Sequence, residues 1–169
     1  DGQTEDFHYT RLMLDFYKSV RVNGGSLDII GKNNDFNGYK LIIIPSFAHL
    51  EPNIFKKIAT SGAKILAGPR TGIKTVNFQI PENLSLEGLG YLVTRVDALP
   101  YALPIEVEWK GKKGQLRVWR EYGNSSGISE GKSKDGFPVI TSGNQGSYLC
   151  GWPDENLLRA IMEEQMILA

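Results

Sequence analysis

Two apolar runs without polar alternation, Leu41 to Ile44 and Lys64 to Ala67, leave this chain few ways to fold. A strand that is apolar at every position must be covered on both faces, which is the habit of parallel sheets. Between the runs, Pro52 suits a first helical turn, and Ile54, Phe55, Ile58 and Ala59 form an apolar stripe that Ser61-Gly62 ends. A strand, a helix and a second strand in that order predict a parallel pair joined by a crossover. The runs end in two short loops, Pro45-Ser46-Phe47 and Gly68-Pro69-Arg70. Open α/β sheets place their ligand sites at the carboxyl ends of parallel strands, so these loops are the first place to look for chemistry.

The flanking segments complete an α/β chain. Tyr9, Leu12, Met13, Phe16, Tyr17 and Val20 recur at helical spacing and predict a helix over Asp6 to Val20, with Thr4 or Asp6 as its cap. Ser26 to Ile30 reads as a short strand, and Gly68 to Pro81 as a loop. From Leu84 the pattern turns antiparallel. A strand is expected over Gly90 to Leu99, then a hairpin of Ile105 to Trp109 and Gln115 to Tyr122 around Gly111 to Gly114, with one face wet. Gly123 to Gly136 reads as a loop, Phe137 to Thr141 and Ser147 to Trp152 as strands. A final helix starts at Pro153 or Asp154, with Leu157, Leu158, Ile161 and Met162 inward. With no repeat and no linker in view, residues 1–169 are expected to form a single domain.

No complete catalytic set emerges from the residues. Ser46 sits at a strand-to-helix turn with His49 nearby, but lacks the flanking glycines of a nucleophile elbow, and a turn role suffices. Gly127 to Ser133 has one residue too few for a phosphate-binding loop, and Gly136 and Pro138 follow where a helix should open. Glu106 and Glu108 would point side by side from one strand, which suits a solvated face better than a sugar cleft. His8 and His49, the two histidines, have no partners at metal-ligand spacing. Cys150, the single cysteine, reads as a small core residue, and Trp109 and Trp119 as a cross-strand pair. Nineteen basic and nineteen acidic residues give formal net charge zero, without the basic surplus of a nucleic-acid binder. No apolar run reaches membrane-spanning length.

The ordered motifs carry a resemblance. Asp35-Phe-Asn-Gly-Tyr-Lys-Leu-Ile-Ile-Ile-Pro45, Gly68-Pro-Arg-Thr-Gly-Ile-Lys74 and Leu89 to Pro100 resemble successive segments of the trimerisation domain of family 42 β-galactosidases. Trp119-Arg120-Glu121, Gly136 to Thr141 and Gly146 to Leu149 are similar to that domain's later strands. Departures occur at Tyr91-Leu92 and in the Gly143 to Gly146 loop. The resemblance implies a flavodoxin-like, amidotransferase-like three-layer sandwich, parallel in its first half and with an antiparallel hairpin region in its second.

It further implies a non-catalytic piece of a longer glycosidase that assembles as a homotrimer. The catalytic glutamates would lie in a preceding barrel of the same chain, and a galactoside would be met only indirectly. Phe47, His49, Arg70 and Lys74 would then border a substrate site or a subunit interface, with no catalytic residue, metal ligand or cofactor in this segment. A cytoplasmic parent enzyme is the favoured expectation, with no nucleic-acid or membrane partner. An amidotransferase-like hydrolase built on Ser46 and His49, and a free-standing sugar-binding module, are the alternatives.

Overall fold

The computed structural model describes residues 7–75, 77, 79, 84–85, 88–100 and 102–169. Helix α1 (Tyr9–Val22) leads to strand β1 (Leu41–Ile44), helix α2 (Pro52–Thr60) and strand β2 (Lys64–Ala67). Then come β3 (Leu84–Ser85), β4 (Tyr91–Ala98), β5 (Ile105–Trp109), β6 (Lys112–Ser125), β7 (Ile128–Glu130) and β8 (Lys132–Ser133). The chain ends with β9 (Ile140–Ser142), β10 (Gly146–Leu149), β11 (Gly151–Pro153) and helix α3 (Glu155–Leu168).

The strands form two sheets in a mixed α/β architecture. The first has the order β1-β2-β10-β9-β7, with β1, β2 and β10 parallel and β9 and β7 antiparallel. The second has the order β3-β4-β6-β5-β8, with β11 also paired to β6, and is antiparallel throughout. The expected crossover is present: Leu41 lies opposite Lys64 and Ile44 opposite Ala67, in parallel register.

Alternate residues of the first sheet feed two cores. Ile42, Ile44, Ile65 and Ala67 pack with Ile54 and Ile58 of α2, with Leu89, and with Tyr91 and Val93 of β4. Leu66 and Leu149 point the other way, against Leu12, Phe16 and Val20 of α1 and Leu157, Leu158, Ile161 and Met162 of α3. That second core also takes in Trp109, Leu116 and Trp119, so it joins the sheets. Each fully buried aliphatic side chain contributes about 1.5–3 kcal/mol of transfer free energy. Asp154 caps α3 by accepting from the Leu157 amide at 3.0 Å, an interaction typically worth about 1 kcal/mol.

Several expectations are corrected. Helix α1 starts after His8, which makes no side-chain cap; Thr4 and Asp6 fall outside the described residues. Ser26 to Ile30 forms no strand. The hairpin turns at Lys110 and Gly111, both with positive φ (49° and 77°), so β6 begins at Lys112 rather than Gln115. Two such residues form the tight turn whose twist matches the strands. The expected loop from Gly123 instead continues β6 to Ser125 and supplies β7 and β8. Strand β9 starts at Ile140, not Phe137.

The expected strand Ser147 to Trp152 is two strands in two different sheets. The chain leaves the first sheet at Leu149 and enters the second at Gly151, with Cys150 buried at the crossing. A side chain at Gly151 would meet the Trp119 carbonyl at 2.9 Å, so the crossing needs glycine. Opposite it, β6 bulges at Val118 (φ 64°), where the register to β11 shifts. Trp109 pairs with Lys112 and Trp119 with Ala98, so the two tryptophans are not cross-strand partners.

Candidate functional site

The loops that follow β1 and β2 are stitched into one surface. Gly68 N donates to Ile44 O at 2.7 Å, which carries the parallel ladder past the strand ends. A Cβ at Gly68 would lie 2.0 Å from the Pro45 carbonyl, so only glycine permits that approach. Farther out, Gly72 N donates to Phe47 O and Lys74 N to Ala48 O, each at 2.9 Å. Thr71 links the pair by accepting from Phe47 N and donating to Gly68 O. His49 places Nδ1 3.2 Å from the Thr75 carbonyl. The site is thus two loops locked by backbone bonds, and four of the sequence candidates ride on it.

Phe47, His49 and Lys74 are half-buried along this surface. Arg70 is different: it is 5% exposed and stands behind the loops. Its guanidinium lies 4.3 Å from the centroid of the Phe7 ring and 4.9 Å from that of Trp119. Its backbone adopts φ 64°, a conformation that costs a non-glycine residue about 1 kcal/mol or more. The backbone N–H gained by that turn donates to Glu121 Oε1 at 2.8 Å. Burial lowers the guanidinium's basicity and Glu121 opposes it, so it remains a cation.

Glu121 is the hidden centre of the arrangement. It is fully buried and accepts from Tyr148 Oη at 2.6 Å, Trp119 Nε1 at 3.0 Å and the Arg70 amide. Burial pushes its carboxyl above the usual range, while those three donors and the Arg70 charge pull the other way. Tyr148 holds its phenolic proton far above the ordinary range, through burial first and the Glu121 charge second. One β6 carboxylate therefore ties together β10, the β2 loop and the aromatic floor under Arg70. Sequence reasoning quoted Trp119-Arg120-Glu121 only as a strand. The signal it left unused is a pair of opposite charges between Trp119 and Tyr122 in a strand otherwise bound for the core.

The remaining candidates are scattered. Ser46 is half-buried in the β1–α2 connection. Glu106 and Glu108 are exposed, and Glu106 pairs with Lys134 at 2.6 Å on the outer face of the second sheet. Gly127 to Ser133 is occupied by β7 and β8. Cys150 is fully buried, and burial raises its thiol far out of the reactive range. Among the described residues no group of three or more His, Cys, Asp or Glu side chains could hold a metal ion. No helix among them is long and apolar enough to cross a membrane. The arrangement can present side chains from a rigid ledge, and among the described residues it assembles no nucleophile–base–oxyanion set.

Comparison with known proteins assigns the chain to a family. Residues 1–166 match the family described as the β-galactosidase trimerisation domain. The chain is 29% identical over 164 residues to β-galactosidase BgaA of a Thermus species, an alignment that covers 95% of this chain and 25% of that protein. It superimposes on the crystal structure of the β-galactosidase from the psychrophilic Marinomonas ef1 with a TM-score of 0.90. That match has 30% identity and covers 98% of this chain and 26% of the other. The β-galactosidase of the Antarctic haloarchaeon Halorubrum lacusprofundi shares the fold, with a TM-score of 0.87 at 23% identity over 97% of this chain and 27% of that one. The chain thus spans about a quarter of the length of the relatives it matches. With sequence and fold agreeing along almost all of its length, this chain belongs to the β-galactosidase trimerisation domain family.

Proposed function

We propose that this chain is the non-catalytic assembly domain of a family 42 β-galactosidase-like enzyme, holding three copies together and walling a neighbouring active site. It acts as one domain, a flavodoxin-like, amidotransferase-like three-layer unit in which α2 covers one face of the first sheet and α1 with α3 the other. Catalysis belongs to a barrel domain of the same parent chain, where two carboxylates hydrolyse terminal β-galactosides with retention. Phe47, His49 and Lys74 border the substrate site or the subunit contact from the loop ledge, and Arg70 takes part from behind it. The observation that carries this reading is the family match along residues 1–166. The locked loops support it: a ledge without chemistry of its own suits a wall for someone else's site.

Two measurements test it. Sedimentation equilibrium of the chain at tens of micromolar should give three times the 18.8 kDa protomer mass. A monomer at all concentrations makes the assembly role depend on the parent's barrel domain. In the parent enzyme, Phe47→Ala and Lys74→Ala should raise KM for a galactoside about 3- to 10-fold with the trimer intact, the signature of lost substrate contact. Unchanged kinetics would remove the bordering role and leave the assembly role standing.

A further inference from the structure

Among the described residues, Arg70, Lys110 and Val118 are the non-glycines with positive φ. Lys110 turns the hairpin and Val118 makes the β6 bulge, whereas Arg70 stands in the loop after β2, between Gly68 and Gly72. A left-handed non-glycine persists where its surroundings hold it, and such residues cluster at functional sites. The hold on Arg70 comes from the second sheet, because its backbone N–H points at Glu121 Oε1, 2.8 Å away.

Glu121 is built as a strut. Its own amide donates to the Cys150 carbonyl at 2.9 Å, and its carbonyl accepts from Tyr91 Oη at 3.3 Å. Its side chain is fixed in turn by Tyr148 Oη on Oε2 and by Trp119 Nε1 on Oε1. With backbone and carboxylate both pinned, Oε1 sets where the Arg70 amide can sit. Farther along the same loop, Gly72 N reaches Phe47 O and Lys74 N reaches Ala48 O, so the placement of Arg70 passes to the side chains that the ledge presents. A buried carboxylate is a costly acceptor, and for stability alone an apolar side chain of similar volume often serves as well. Here the carboxylate has a geometric use: it gathers donors from β6, β10 and the loop after β2 onto two oxygens.

We propose that Glu121 is the positioning residue of the ledge, fixing through the Arg70 amide where Phe47, His49 and Lys74 stand, and hence how tightly a galactoside is held at the site they border. The effect on substrate rests on the bordering role proposed above; the hold on the ledge rests on the hydrogen bonds. The two oxygens can be separated by substitution. Glu121→Gln keeps a carbonyl oxygen for the Arg70 and Trp119 N–H groups and turns its amide toward Tyr148 Oη, which can accept. Glu121→Ala removes both oxygens. Tyr148→Phe removes the donor to Oε2 and leaves Oε1 in place.

The first reading is amide exchange of Gly72 and Lys74 in this chain. Because ledge amides exchange by local opening, Glu121→Ala should speed them at least about 10-fold, while Glu121→Gln and Tyr148→Phe should stay within about 2-fold of wild type. Thermal melts record the global stability that Tyr148→Phe loses meanwhile. Should Glu121→Ala fail to fold, Glu121→Asp, one methylene shorter, replaces it with the same expected direction. In the parent enzyme, Glu121→Ala should raise KM for a galactoside about 3- to 10-fold with kcat within about 2-fold, and Glu121→Gln should restore it. Unchanged exchange in Glu121→Ala, equal acceleration in Tyr148→Phe, or no rescue by Glu121→Gln overturns the positioning role. So does an unchanged KM in Glu121→Ala beside a raised KM in Phe47→Ala and Lys74→Ala. An unchanged KM in all three, with exchange as expected, removes the bordering role and supports Glu121 as the residue that positions the ledge.

Discussion

Arg70 and Arg120 are both buried, and the protein handles them in opposite ways. Arg120, fully buried on β6, reaches Asp135 through Nε and a terminal nitrogen at 3.0 Å each, and also donates to the carbonyls of Pro138 and Cys150. Ser133 joins the same cluster, bonded to both Arg120 and Asp135. Arg70 lies between aromatic rings, its Nε has no hydrogen-bond partner, and no ion pair joins it to a carboxylate among the described residues. Arg120 is a closed polar network that pins the 131–137 segment to the second sheet. Arg70 is a cation held by ring faces and by its own backbone, at the rear of the loop ledge. Enclosing a charge needs compensation, and the molecule uses a counter-ion in one place and quadrupoles plus a distant carboxylate in the other.

The largest way to break that contrast is Arg120→Met. It strands Asp135 and should lower unfolding free energy by about 3–5 kcal/mol in urea titrations, as removal of one partner from a buried pair does. Glu121→Ala comes next. It leaves Tyr148, Trp119 and the Arg70 amide without their acceptor, at a net cost of about 2–3 kcal/mol after relief of the buried carboxyl's desolvation. The same variant should loosen the loop ledge, seen as faster amide exchange at residues 70–74. Arg70→Met should cost least, about 1 kcal/mol, because it trades ring contacts for apolar packing and removes an unsatisfied donor. If Arg70→Met proves as destabilising as Arg120→Met, the distinction between the two sites fails.

The carboxyl partners sharpen the comparison through pH. Burial favours protonated Asp135, but the Arg120, Ser133 and Phe137 bonds outweigh it and hold its pKa below the usual value. A depressed carboxyl stabilises the fold above its unfolded pKa near ~3.9, and that contribution fades as pH falls through the folded value. Glu121 runs the other way. Its raised pKa makes stability decline as pH climbs from the unfolded value near ~4.3 to the folded one, and stay flat above. Asp135→Asn should therefore flatten the acid limb of the stability profile, and Glu121→Gln the decline that follows it. Thermal melts between pH 2 and 8 read both.

How much of this was legible depended on whether the signal was local. The runs Leu41 to Ile44 and Lys64 to Ala67, the start of α2 at Pro52 and the inward stripe of α3 follow from spacing alone, and the structure keeps them. The two loops at the strand ends were legible for the same reason. The burial of Trp119 to Tyr122 was not: alternation suggested a strand with one wet face. Its polar members are enclosed because Asp135 and Tyr148, both distant in sequence, come to meet them. Ser26 to Ile30 failed in the reverse direction, since tertiary context overrides strand propensity.

By itself, then, the amino-acid order determined the parallel crossover, the positions of the main helices and, through its ordered motifs, the family. These depend on periodicity and composition, which act over a few residues. Only the tertiary structure decided that the chain changes sheets at Cys150 and that Glu121 anchors the ledge. Each of those is set by which distant segments meet.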